Sequence, residues 1–195
     1  MGWSKQRLEE VAQTRLGGAK LIVVANREPY VHRYRDGEVE WIRPAGGLTT
    51  ALDPVMQACG GVWVAHGSGD ADAEVCDENG RVGVPPDDPS YLLRRVWLTK
   101  EEEEGYYYGF ANSTLWPLCH QVFCRPTFEP SDWDTYRRVN QTFAEAVLEE
   151  ARGGSTRPRR RGSGGRTARG WRPRSTWPHP GGSGRLLRGA VWTSP

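Results

Sequence analysis

The sequence predicts an α/β fold, and three observations carry that prediction. Lys20-Leu-Ile-Val-Val-Ala25 and Gly61-Val-Trp-Val-Ala65 are short apolar runs rich in β-branched residues, the composition of strands covered on both faces. Between them, Leu48, Leu52, Val55 and Met56 fall on one face of a helix over 49–58. Glycines punctuate the changes, at Gly46-Gly47 and at Gly67-Ser68-Gly69. Strand, glycine turn, helix, strand is the βαβ rhythm of a sheet with parallel strands.

Taken in order, residues 1–19 read as a polar lead-in, with one helical turn in Arg7-Leu-Glu-Glu-Val11. The first strand ends at Asn26-Arg27-Glu28-Pro29, because proline cannot donate to a ladder. Residues 30–34 and 38–42 flank Arg35-Asp36-Gly37. Asp-Gly between such segments signals a hairpin, since glycine supplies the positive φ of the turn. After the second buried strand, Asp77-Glu-Asn-Gly80 turns the chain into a hairpin-like region over 81–98. Thr99 and Glu102 have the spacing of a capping box, and the run Glu101–Glu104 then suits the positive end of a helix rather than a metal. The clearest helix spans 131–150, where Trp133, Tyr136, Val139, Phe143 and Val147 recur at three- and four-residue steps.

Charge divides the chain. All 24 acidic residues lie at or before Glu150, leaving that part with a net charge of −9. From Arg152 onward there are eleven arginines and no lysine, aspartate or glutamate, a net charge of +11. No hydrophobic period survives there, so 152–195 is expected to be a disordered Arg/Gly/Pro-rich tail that buries too little apolar surface to offset its ordering entropy. A basic arm for polyanions is one reading of it. Arginine, glycine, proline and tryptophan without lysine or acids is also what a GC-rich coding sequence yields out of frame, and a frame change near Arg152 is the expectation. No apolar run approaches the roughly 20 residues of a bilayer span, and the N-terminus lacks a secretory h-region. Cys59, Cys76, Cys119 and Cys124 lack C-x-x-C spacing and scaffold density. They read as reduced thiols of a cytoplasmic protein, with no metal site and no cofactor. Neither a membrane nor a specific nucleic acid is an expected partner.

The chemistry gathers where strands end, the place at which open α/β sheets bind ligands. Arg27 follows the first strand and presents a planar fork of donors suited to phosphate or carboxylate. Gly46-Gly47 stands at a helix N-terminus, where free amides favour a diphosphate. Gly105-Tyr-Tyr-Tyr-Gly-Phe-Ala-Asn112 and Leu115-Trp-Pro-Leu-Cys-His120 place hydroxyl and indole donors on rigid apolar bodies. Singly, each pattern is more often a surface arginine, a turn, or an aromatic core cluster.

Together and in this order, these segments change the balance. Val-Val-Ala-Asn-Arg27, Gly46-Gly-Leu-Thr-Thr-Ala-Leu52, Tyr107-Tyr-Gly-Phe-Ala-Asn112 with Leu115-Trp-Pro117, and Trp133-Asp-Thr-Tyr136 with Val139-Asn140 resemble the N-terminal domain of the trehalose-6-phosphate synthase family. The resemblance covers about 20–151, which it implies is the acceptor-side domain, the Rossmann-like N-terminal half of a two-domain GT-B glycosyltransferase. It implies a metal-independent, retaining transfer of glucose from a nucleoside diphosphate glucose, usually UDP-glucose, to glucose 6-phosphate, giving trehalose 6-phosphate. Its partners would be a nucleotide sugar and a sugar phosphate. By position, Arg27, Tyr107 and Trp116 would hold glucose 6-phosphate, Gly46 and Gly47 would line the donor diphosphate, and no residue of this chain would be a catalytic nucleophile.

Two departures from the family pattern stand out. The turn Ala65-His-Gly-Ser-Gly69 replaces a Gly-Trp-Ser/Pro-Gly turn beside the acceptor, which leaves a glucosylglycerol-phosphate synthase as a related alternative. The Asp-Tyr-His segment and the donor-side domain expected after the long helix are absent. The expectation is an inactive chain, the other alternative being a non-enzymatic remnant with a polyanion-binding tail.

Overall fold

The structure, a computed structural model, describes residues 4–16, 19–120, 123–153 and 190–193. The chain begins with helix α1 (Lys5–Leu16), three turns where the sequence suggested one, packed against α2 (Gly47–Cys59). Strand β1 (Ile22–Ala25) is buried at all four positions, and β4 (Val62–His66) at all five. The two pair in parallel, with Ile22 opposite Val62 and Val24 opposite Val64. Strand β6 (Tyr91–Val96) is parallel to β4 on its other side, and β5 (Arg81–Val84) runs antiparallel along β6, which realises the hairpin-like region. Strand β7 (Ala190–Thr193) lies parallel to the free edge of β1, so the sheet order is β5-β6-β4-β1-β7. The expectation of a disordered tail otherwise falls on 154–189 and 194–195, outside the described residues.

Side-chain alternation sorts the sheet into two cores. Ile22, Val24, Val62, Val64 and Val96 pack with Tyr106, Tyr107, Val139, Phe143 and Ala146 on one face. Val23, Ala25, Trp63, Ala65 and Leu93 pack with Tyr30, Met56, Val84 and Tyr91 on the other. The hairpin of β2 (Val31–Arg35) and β3 (Glu38–Ile42) forms a separate ribbon. Its two-residue turn has φ of 52° at Asp36 and 82° at Gly37, the doubly positive geometry that Asp-Gly tolerates best.

The short helix α3 (Asp72–Val75) follows β4, and α4 (Lys100–Glu103) follows β6. Thr99 caps α4 as expected: its hydroxyl accepts from the Glu102 amide at 3.2 Å while the Glu102 carboxylate accepts from the Thr99 amide at 2.9 Å. The chain then widens into a π-helix over Glu104–Leu115 before α5 (Trp116–His120). Helix α6 (Pro130–Arg152) starts with proline at its first position, where a missing amide costs nothing, and buries Thr135, Val139, Phe143, Ala146 and Glu150. Trp133, on the apolar stripe in the sequence, is instead 45% exposed and leans on Phe110, ring centroids 5.0 Å apart.

Candidate functional site

The carboxyl ends of β1, β4 and β6 lie side by side, and the loops leaving them form the candidate site. Arg27 follows β1 and is exposed. Its Nη1 donates to the Ala45 carbonyl at 3.3 Å, which brings the guanidinium to the N-terminus of α2. Gly46 caps that helix through its backbone, its carbonyl accepting from the Thr50 amide and the Thr49 hydroxyl, each at 3.0 Å. A Cβ on Gly47 would meet open space. A positive fork beside a helix N-terminus is a place for an anion, because both the fixed charge and the macrodipole favour it. Asn26 Oδ1, one residue away, is buried without a hydrogen-bond partner. An orphan acceptor at a strand end is costly unless a ligand or water donates to it.

The remaining site residues lie elsewhere. Tyr107 is 9% exposed and belongs to the core beneath α6, with its ring 5.1 Å from that of Tyr108. Trp116 is 40% exposed and stacks on His120 at 4.7 Å. Arg27 and Gly46-Gly47 are thus brought together, whereas no hydrogen bond or ring contact among the described residues joins Arg27 to Tyr107 or Trp116.

Sequence reasoning missed a buried ionic cluster directly behind Arg27. Arg95 on β6 is fully buried, its Nε donating to Glu28 Oε2 at 2.7 Å and its Nη2 paired with Asp72 Oδ1 at 2.7 Å. Burial pushes the Glu28 carboxyl up to about 7, with the Asp72 charge adding to the rise and Arg95 opposing it. Asp72 is held below its ordinary range: burial would raise it, but hydrogen bonds from His32 and Glu28 and the charge of Arg95 outweigh that. A second cluster centres on Asp53, which accepts from Tyr91 at 2.6 Å, Tyr30 at 3.1 Å, Gln57 at 2.8 Å and Arg43 at 2.5 Å. The one available signal was Arg94-Arg95 inside an otherwise strand-like run, since an inward-facing arginine requires buried counter-ions.

Among the described residues, no group of three or more His, Cys, Asp and Glu is placed to hold a metal ion, and no helix is long and apolar enough to cross a membrane. All four cysteines are free.

The arrangement is an α/β domain in which the Arg27 guanidinium meets the N-terminus of α2 at the strand ends. Residues 19–156 match the pattern of glycosyltransferase family 20. The chain is similar to the trehalose-6-phosphate synthases of Mycolicibacterium vanbaalenii, 39% identical over 145 residues, and Mycobacterium tuberculosis, 40% identical over 141 residues. These matches take in 74% and 72% of this chain but 29% and 28% of the relatives, so the chain spans under a third of their length. Among solved structures it is similar to the E. coli protein bound with UDP-2-fluoro glucose, at 25% identity and a TM-score of 0.46, over 67% of this chain and 25% of that one. It is also similar to a Burkholderia xenovorans trehalose-phosphate synthase in complex with glucose-6-phosphate, at 24% identity and a TM-score of 0.48, with the same coverage. The chain belongs to glycosyltransferase family 20.

Proposed function

We propose that residues 20–151 are the acceptor-side half of a retaining GT-B glucosyltransferase of trehalose biosynthesis. The complete reaction moves glucose from UDP-glucose to glucose 6-phosphate and gives trehalose 6-phosphate. The observation that carries this reading is the placement of Arg27 at the N-terminus of α2, beside the unsatisfied Asn26, in a chain whose family transfers sugars. Arg27 engages the acceptor phosphate, Asn26 Oδ1 accepts from a ligand hydroxyl, and the amides at Gly46-Gly47 face a donor diphosphate. Tyr107 and Trp116 complete the acceptor side from the π-helix and α5. Their work is orientation and charge stabilisation, since no side chain here serves as a nucleophile. Free thiols suit a cytoplasmic setting.

Residues 20–151 taken alone would bind the acceptor without turning it over, because one wall of a cleft neither positions the donor nor excludes water. A charged bidentate contact contributes about 1.5–3 kcal/mol, which alone is poorer than millimolar affinity. The test is an NMR titration with millimolar glucose 6-phosphate. The expected result is saturable shifts that glucose does not reproduce and that Arg27→Ala removes. Equal shifts from glucose, or a variant that responds normally, would remove the basis for the site. Glycerol 3-phosphate tests the alternative acceptor, which the unusual turn at Gly67-Ser68-Gly69 favours; binding tighter than glucose 6-phosphate would select it.

A further inference from the structure

The residue that follows Arg27 is fastened to the turn after β4. Glu28 Oε1 accepts from the Ser68 amide at 2.9 Å and from its hydroxyl at 3.1 Å. Asp72 Oδ2 accepts from the Gly69 amide at 2.7 Å, and Asp72 Oδ1 from the His32 amide at 2.7 Å. The Gly67 amide donates to Val96 at 3.1 Å. Every amide of the turn is therefore anchored, two of them by carboxylates that share one guanidinium. The turn admits no bulk: a Cβ on Gly67 would enter the Trp97 ring, and one on Gly69 would strike the His32 carbonyl.

The charge in this cluster does not balance. Glu28 is 2% exposed, and Asp72 and Arg95 are 0% exposed. Around them stand His32 from β2, Cys76 after α3 and Ser68 from the turn. Arg95 Nη2 lies 2.9 Å from His32 Nδ1. A guanidinium nitrogen only donates, so that ring nitrogen accepts and carries no proton, and its 3.3 Å approach to Asp72 is not an ion pair. Cys76 Sγ accepts from Arg95 at 3.3 Å, and burial pushes its thiol up, which keeps it uncharged. His66 Nδ1 is engaged by the Val96 carbonyl at 3.3 Å. Two carboxylates thus face one guanidinium, and one carboxylate charge is left uncompensated in a dry site.

We propose that Glu28 is a positioning residue of the acceptor side, its carboxylate locking the Gly67-Ser68-Gly69 turn against the Arg27 segment, and that protonating it loosens this turn and weakens sugar-phosphate binding. The direction follows from hydrogen-bond strength: a carboxylate accepts from an amide about twice as strongly as a neutral acid. Burial places this protonation at about 7. The ligand half of the proposal rests on the acceptor-side reading above; the turn itself does not.

The experiment uses the full chain in two arms. Without ligand, the Ser68 amide resonance is followed from pH 5 to 9 in wild type and in Glu28→Gln, which leaves Arg95 balanced by Asp72 alone. A sigmoid centred near 7 in wild type and absent from the variant is the expected result. A flat profile in wild type, or a sigmoid that persists in Glu28→Gln and disappears in His32→Gln, overturns the assignment. With glucose 6-phosphate at pH 8, the variant is expected to bind about three- to tenfold more weakly, as one charge-assisted hydrogen bond implies. Comparison at one pH cancels the ligand's own titration. Equal affinity overturns the positioning role. No binding by wild type beside an intact Ser68 titration sinks the acceptor reading and the ligand half with it, while the turn lock stands.

Discussion

Replacing Arg95 by methionine separates a structural ion cluster from incidental surface charge. The side chain is fully buried and donates to Glu28, to the Tyr30 carbonyl at 3.0 Å and to the Asp72 carbonyl at 3.3 Å, besides its ion pair with Asp72. Methionine fills much of the volume but leaves two carboxylates facing each other without a counter-charge. Breaking a buried pair in this way costs about 3–5 kcal/mol, a large share of the roughly 5–15 kcal/mol that stabilises a domain. The loss must depend on pH. Orphaned carboxylates titrate above their unfolded values, so the native variant binds more protons and its stability falls as pH rises. Each pH unit over which one extra proton is held corresponds to about 1.4 kcal/mol, so between pH 5.5 and 7.5 the variant's own stability should fall by about 2–3 kcal/mol. Urea unfolding followed by tryptophan fluorescence, to which the buried Trp63 contributes, measures it at both pH values. A variant already unfolded at pH 7.5 should regain its transition at pH 5.5. A loss under about 1 kcal/mol at pH 7.5, or a variant whose own stability does not fall between the two pH values, would refute the reasoning.

The wild type carries a milder version of the same dependence. Glu28 sits at about 7 instead of 4.5, so its contribution is fully present below pH 4.5 and is lost as pH rises through 7, amounting to up to about 3 kcal/mol. Asp72, shifted down, acts oppositely and only in the acid range at and below its unfolded value of 3.8. Unfolding midpoints at pH 5 and 8 should therefore fall with pH in wild type and much less in Glu28→Gln; identical slopes would contradict the assignment. Where the π-helix meets α6, a Cβ on Gly109 would enter the Asp132 carboxylate at the start of α6. Gly109→Ala should cost about 1–3 kcal/mol as an overpacking change, read as a lower urea midpoint, and a neutral effect would mean that the π-helix and α6 pack less closely.

Local chemistry was legible where it decided local structure. The β-branched run at 22–25 becomes a strand buried at every position, Asp36-Gly37 turns the hairpin, and Thr99 with Glu102 closes a capping box, because each depends on residues a few positions apart. Arg27 and Gly46, 19 positions apart, were readable as a pair because both stand at element ends, and Arg27 does reach Ala45. What escaped was long-range pairing of polar groups. Glu28 and Arg95 are 67 residues apart, and nothing in a hairpin-like run tells which of Arg94 and Arg95 turns inward. Glu150, on the helix wheel a polar residue, is 2% exposed because Arg81 meets it at 2.5 Å and Lys20 at 3.6 Å. The π-helix escaped as well, since its five-residue hydrogen-bond step leaves no period that three consecutive tyrosines would reveal. Its width helps explain why Tyr107 is packed in the core while Trp116 is exposed.

The central claim is that a sugar phosphate docks at the strand ends around Arg27. Mapping the amide shifts caused by glucose 6-phosphate onto the assigned chain tests it most directly. The account predicts that the largest shifts fall at Asn26 and Arg27, with smaller ones at Gly46, Gly47, Ser68, Gly69, Tyr107 and Trp116. The contrast is the open groove between the π-helix and α6, lined by Lys100, Glu104, Tyr108, Ser113 and Asp132. Shifts concentrated there, with Arg27 and Gly46 unmoved, would contradict the account.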